Sequence, residues 1–249
     1  MIRTALVTGG SRGIGLATAH ELLRMGHRVI ITGRTESTLA AAMEELDSPE
    51  HVRFLQFDAS SPEAIQRALG DIEADILVAN VGMGFAGSIA TTELDDWRMV
   101  MDTNVTSAFV SIRALLPGML ERGWGRIVTV GSMSSHEPIR HGIAYTASKH
   151  ALLGLTRAVA ADVAGKGVTV NMVAPAFVRT DMTTANANLI AAATGDSQAG
   201  AESRLAGLST LGRLIEPDEV ALEICGFFLA EADALNGQSI AMGFEKKLE

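Results

Sequence analysis

Short runs rich in valine, isoleucine and leucine recur along the whole chain, and longer stretches with helical periodicity separate them. The runs are Thr4–Thr8, Arg28–Thr32, Val52–Phe57, Ile76–Ala79, Arg126–Val130, Val168–Val173 and Ser239–Met242. Most are continuously apolar, as expected of strands buried on both faces of a parallel sheet. The helical stretches are Gly15–Met25, Thr35–Leu46, Pro62–Leu69, Leu94–Glu121, Tyr145–Ala164 and Pro217–Ala230. This alternation implies βαβ crossovers and predicts an α/β fold with a doubly wound parallel β-sheet. No Pro- or Ser-rich linker and no repeat divides the chain, so residues 1–249 read as a single domain. One segment breaks the rhythm. Residues 183–211 mix helix-forming and loop-forming types, which predicts a mobile lid over a site or a surface excursion without a role. The closing Lys246-Lys247-Leu248-Glu249 reads as a solvated tail.

Composition narrows the function classes. Hydrophobic residues make up 47% and charged residues 20% of 249, enough apolar content for a sizeable core and too much for disorder. The 29 acidic and 20 basic residues give a net charge of −9, which argues against a general grip on nucleic acid. No apolar run reaches the length of a membrane span, and the N-terminus runs into the first strand without a signal-peptide layout. Cys225 is the single cysteine, and no Cys/His cluster has metal-ligand spacing. The expectation is a soluble cytoplasmic protein with no nucleic acid, membrane or metal partner.

The first strand runs directly into Thr8-Gly9-Gly10-Ser11-Arg12-Gly13-Ile14-Gly15, after which a helix begins. Glycines allow a tight turn and close approach to a pyrophosphate, and the helix start supplies unpaired N–H groups and a positive dipole end. A glycine triplet alone is weak evidence; between a buried strand and a helix it is strong. The stretch resembles the T-G-x-x-x-G-x-G loop of the short-chain dehydrogenase/reductases, and the similarity extends from Thr4 to about Ser239. The resemblance implies a Rossmann fold with a dinucleotide over Gly9, Gly13 and Gly15, and with Ser11 and Ile14 in the same cradle. At the end of the second strand, Gly33-Arg34 stands where an acidic residue would select NAD. In the family, a basic residue there and another in the loop, Arg12, go with NADP(H), because guanidinium suits phosphate. Both arginines also fit an ordinary solvated surface. The resemblance further assigns Asp58 to the adenine amino group and Asn80-Val81-Gly82 to the ribose. It places Pro175, Val178 and Thr180 at the nicotinamide, with Ala176 replacing a usual glycine.

The only tyrosine lies in Tyr145-Thr146-Ala147-Ser148-Lys149. Positions i and i+4 share a helix face, so the phenol and the ammonium can serve one site, with the cation expected to lower the phenol pKa. Ser132 precedes Tyr145 by 13 residues and ends the fifth strand, where ligands bind in open α/β sheets. A hydroxyl there can donate to a substrate oxygen that gains negative charge. Ser134 and Ser135 are neighbours, but strand-end placement favours Ser132. In the family, Ser132, Tyr145 and Lys149 match the catalytic residues and Asn104 the fourth, although Asn104 also fits a buried helix kink.

The resemblance is strongest to 3-oxoacyl-acyl-carrier-protein reductases. It implies an NADPH-dependent ketone or acyl thioester reductase, a homo-oligomer (tetramer or dimer), and an acyl carrier protein as a candidate partner. Arg122 and Lys166 are candidate docking cations or ordinary helix ends. The polar loop His136–His141 could grip a charged group or face water. Met83, Phe85, Met133, Phe177 and Met182 are candidate pocket residues, suiting an acyl chain, a cyclic ketone or a steroid equally. Two other readings stand beside the reductase: a dehydrogenase oxidising a secondary alcohol or hydroxyacyl-CoA, and a non-catalytic NADP(H) sensor.

Overall fold

The computed structural model describes residues 1–245 of the chain, so the expected tail Lys246–Glu249 lies outside the described residues. Seven strands form one parallel sheet: β1 (Thr4–Val7), β2 (Arg28–Gly33), β3 (Val52–Gln56), β4 (Ile76–Ala79), β5 (Gly125–Val130), β6 (Val168–Pro175) and β7 (Ser239–Met242). Their spatial order is β3-β2-β1-β4-β5-β6-β7. The order reverses between β1 and β4, and that switch point opens a crevice at the carboxyl ends of the strands.

The pleat explains why the strands read as continuous apolar runs. Ala5, Val7, Val29, Ile31, Ile76, Val78, Val128 and Val130 project to one face. There they meet Leu22 of α1 (Gly13–Arg24), Leu39 of α2 (Glu36–Leu46) and Ile224 of α9 (Pro217–Gly226). The alternate residues Leu6, Ile30, Leu77 and Ile127 project to the other face. These pack on Ile65 of α3 (Pro62–Leu69), Leu115 of α5 (Ser107–Glu121) and, after α6 (Ile143–Asp162), Val163. Both faces are dry, so neither tolerates the polar alternation of a one-sided sheet.

Two regions depart from expectation in detail. The long helix expected over Leu94–Glu121 is interrupted: α4 (Leu94–Met101) passes through a π-helical turn at Asp102–Thr106 before α5. The segment 183–211 is largely helical, comprising most of α7 (Asp181–Thr194) and all of α8 (Gln198–Gly207). These helices share a small core of Ala187, Ala201, Leu205 and Leu214, joined by Phe177. Alanine-rich composition had blurred its periodicity, because alanine serves either face. Among the described residues, no helix is long and apolar enough to cross a membrane.

The edge strand β7 is fastened by amides. The fully buried Asn171 of β6 donates to the Leu235 carbonyl at 2.8 Å and accepts from the Gln238 N–H at 3.0 Å. Replacing it by alanine leaves both backbone groups without that partner, at about 1–3 kcal/mol for each buried group left unsatisfied. Urea unfolding of Asn171→Ala is expected to show a lower midpoint with an unchanged slope.

Candidate active site

The turn after β1 is shaped by what surrounds it. Gly9 and Gly13 hold φ of +64° and +53°, a left-handed conformation costly for a side chain. A β-carbon on Gly15 would lie 2.3 Å from the Gly9 carbonyl oxygen, so α1 meets the turn in direct backbone contact. The Asn80 side chain donates to the carbonyls of Thr8 at 3.0 Å and Gly9 at 3.1 Å, and the Gly9 N–H donates to the Thr32 hydroxyl at 3.2 Å. β2 and β4 thereby fix the loop from both sides. Arg12 stands at the N-cap of α1 in an extended conformation and supplies no side-chain cap. The uncapped start of a helix, reached only past glycines, is a cradle that fits a phosphate group. Ser11 and Ile14 complete the turn, with Ile14 packed against the core beneath. Arg34 is exposed just beyond β2. Asp58, after β3, accepts from the N–H and hydroxyl of Ser60, both at 2.9 Å, and those bonds hold its carboxyl below the ordinary range, helped by the Arg34 charge.

The residues expected to carry chemistry converge at the ends of β4 and β5. Ser132 heads a short 3-10 turn at Met133–Ser135; its hydroxyl accepts from the Ser134 N–H at 3.1 Å, while its own N–H donates to the Ser135 hydroxyl at 3.2 Å. On the first turns of α6, the Lys149 ammonium donates to the Val130 carbonyl at 3.0 Å and lies 5.8 Å from the Tyr145 ring centroid. Lys149 is only 4% exposed, and burial pushes it down to about 8. Burial pushes the Tyr145 phenol up, with the Ser132 hydroxyl pulling the other way. The expected downward shift from Lys149 is therefore not found. The ammonium is committed to a carbonyl and is itself disfavoured by burial, so the phenol stays protonated near neutrality.

Asn104 sits in the π-helical turn, fully buried. Its amide accepts from the Met83 N–H at 2.7 Å and donates to the Met83 carbonyl at 3.0 Å and the Ser148 hydroxyl at 2.9 Å. Between Asn104 and Lys149 passes Gly82, whose β-carbon would lie 3.3 Å from the Lys149 ammonium and 3.5 Å from the Asn104 oxygen. Asn104 thus lies where the helix is interrupted by the π turn, and its oxygen and the Lys149 ammonium border the same glycine. Ser148, Ser135 and the hydroxyls of Thr8 and Thr32 also build the site. Only their positions in the motif segments could have signalled this, since serine and threonine are common in turns.

On the far side, β6 ends at Pro175, Val178 is buried, and Thr180 precedes α7. The Thr180 methyl would lie 3.2 Å from a β-carbon on Gly13, so this segment overhangs the cradle. Ala176 is not among the positive-φ residues, which explains why the usual glycine is dispensable there. Of the expected pocket residues, Met182 lies against Gly84, whereas Phe177 packs into the core of α7 and α8. His136 bonds the Ser239 hydroxyl at 2.8 Å, while Arg140 and His141 face solvent. Arg122 bonds Asp75 at 3.2 Å and the Ala74 carbonyl at 2.8 Å, and Lys166 bonds the Asp162 carbonyl at 2.7 Å, so both cations serve local structure. Among the described residues, no group of three or more His, Cys, Asp or Glu side chains could hold a metal ion.

Lys149 gives this geometry a measurable signature. Its folded value near 8 lies below the ordinary 10.5, so between those values the unfolded chain binds the additional proton and stability rises with pH. Lys149→Met is expected to remove a rise on the order of 3 kcal/mol, read by denaturant unfolding from roughly pH 7 to 10.

The short chain dehydrogenase family model matches residues 3–189. The 3-oxoacyl-acyl-carrier-protein reductase of Vibrio cholerae is 34% identical over 245 residues, covering 96% of this chain and 94% of that protein. The acetoacetyl-CoA reductase of Rhizobium meliloti is 34% identical over 248 residues, covering 97% of each. Among solved structures, an actinorhodin polyketide ketoreductase variant with NADPH superposes with a TM-score of 0.93 at 31% identity, covering 97% of this chain and 96% of that one. The L-sorbose reductase of Gluconobacter frateurii, solved with NADPH and L-sorbose, gives 0.91 at 26% identity, covering 100% and 98%.

Proposed function

The chain belongs to the short-chain dehydrogenase/reductase family of oxidoreductases, and from that membership we propose that it reduces a ketone to a secondary alcohol with NADPH, the substrate being of the 3-oxoacyl thioester type. The convergence of Ser132, Tyr145 and buried Lys149 on the strand ends beside the phosphate cradle carries this reading. NADPH, when bound, supplies the hydride.

Gly9, Ser11, Gly13, Ile14 and Gly15 form the turn that receives the pyrophosphate, Arg12 and Arg34 the adenosine phosphate, and Asp58 the adenine. Asn80 and Gly82 border the ribose, and Pro175, Val178 and Thr180 border the nicotinamide. Ser132 and Tyr145 hold the carbonyl oxygen. The Ser132 hydroxyl accepts the Ser134 N–H and pairs with the Tyr145 phenol, and on substrate binding it turns its proton onto the carbonyl oxygen. Tyr145, kept protonated by its burial, delivers the proton to the forming alkoxide. Lys149 holds the nicotinamide ribose, and Asn104 maintains the resupply of protons from solvent through a water beside Lys149. Helices α7 and α8, packed together on a small core with Leu214 and Phe177, act as the substrate lid. A homo-oligomer, tetramer or dimer, fits the exposed Met99 and Phe109 on α4 and α5.

The test follows loss of reduced-nicotinamide absorbance with NADPH or NADH over acetoacetyl thioesters, cyclic diketones, steroids and L-sorbose. Turnover is expected with NADPH and a 3-oxoacyl thioester, and Tyr145→Phe is expected to lower kcat by at least about 100-fold while NADPH still binds. Binding without turnover on any ketone supports the sensor instead, and formation of reduced nicotinamide only when NADP+ and a secondary alcohol are supplied supports the oxidising dehydrogenase.

A further inference from the structure

Arg12 does not wait unpaired at the mouth of the cradle. Its Nη1 donates to Oδ2 of Asp181 at 3.1 Å, and Asp181 is the first residue of α7. The pair therefore joins the glycine turn to the first lid helix across 169 residues of sequence. Both side chains are largely exposed, at 66% and 76%, so the pair is accessible to an incoming anion. Its neighbourhood makes the contact a consequence of the fold: Thr180 packs over Gly13, and Met182 lies against Gly84. With Thr180 over Gly13, the carboxylate of the next residue is within reach of the cation that precedes Gly13.

We propose that Asp181 sets the discrimination between phosphorylated and unphosphorylated dinucleotide by neutralising the guanidinium of Arg12. This inference rests on the NADPH reading given above, in which Arg12 faces the adenosine phosphate. A phosphate reaching Arg12 finds a cation already balanced by a carboxylate. It must displace Asp181 or share the guanidinium with it, and in either case the attraction is weaker than Arg12 alone would give. NADH carries no phosphate at that position, so Asp181 leaves its affinity unchanged. Asp181 thus restrains the preference for NADPH that Arg12 and Arg34 create, and links that preference to the position of α7.

The experiment measures NADPH and NADH dissociation constants by cofactor fluorescence at low ionic strength. Asp181→Asn is expected to tighten NADPH about two- to fivefold, the range of an exposed ion pair, and to leave NADH unchanged. Asp181→Glu, which keeps the charge, is expected to match the wild type. Added salt is expected to erase the gain. Equal shifts for both cofactors, or no shift for NADPH, would overturn the proposal. Arg12→Ala separates the two layers: loss of NADPH affinity alone upholds the Arg12 reading whatever Asp181 does. An unchanged NADPH-to-NADH ratio in Arg12→Ala would sink that reading and this inference together. In Arg12→Ala the further change Asp181→Asn is expected to gain nothing. A persistent gain would mean direct repulsion of the phosphate and would overturn the route through Arg12.

Discussion

The contact of α1 with the turn after β1 leaves no room for a carbon atom at Gly15, and much of the site depends on that closeness. It brings the uncapped helix start to the crevice where the strand order reverses. It also lets one amide, that of Asn80, grip two carbonyls of the turn and so tie the end of β4 to the end of β1. A side chain at Gly15 would push α1 away and loosen both. The first N–H groups of a helix have no partner within it, so such a helix start offers its donors to an anion or to water.

From that anchor the rest of the site is laid out by strand ends. β5 delivers Ser132, β6 delivers Pro175, and α6 returns across the crevice with Tyr145 and Lys149. Burying Lys149 is costly, as its depressed pKa shows, and the Val130 carbonyl offsets only part of that. The cost is tolerable because the surrounding sheet holds the ammonium where Gly82 permits it to pass. The π-helical turn at Asp102–Thr106 serves the same end, since it turns Asn104 inward to bond Met83 and Ser148.

Much of this was legible in the residues. Doubly buried strands announce themselves as continuous apolar runs, and Pro62–Leu69 and Ile76–Ala79 were read with the bounds they have, because proline and burial mark them sharply. Gly9, Gly13 and Gly15 were legible because each meets a constraint that only glycine satisfies. Other features were not. The π-helical turn has no periodicity of its own in five residues. Helices α7 and α8 were hidden by small residues that fit either face. The direction of the Tyr145 shift was misjudged because sequence spacing gives proximity to a cation but not burial. Nor does spacing reveal a contact such as Arg12–Asp181, made between segments far apart in the chain.

Transfer of deuterium from NADPH carrying deuterium at both positions of the reactive nicotinamide carbon tests the central claim most directly. The enzyme is incubated with labelled cofactor and an acetoacetyl thioester, and the product is examined by mass spectrometry and NMR. One deuterium is expected on the new carbinol carbon and none at the neighbouring positions. A hydroxy product without the label while the ketone is consumed would contradict hydride transfer at this site.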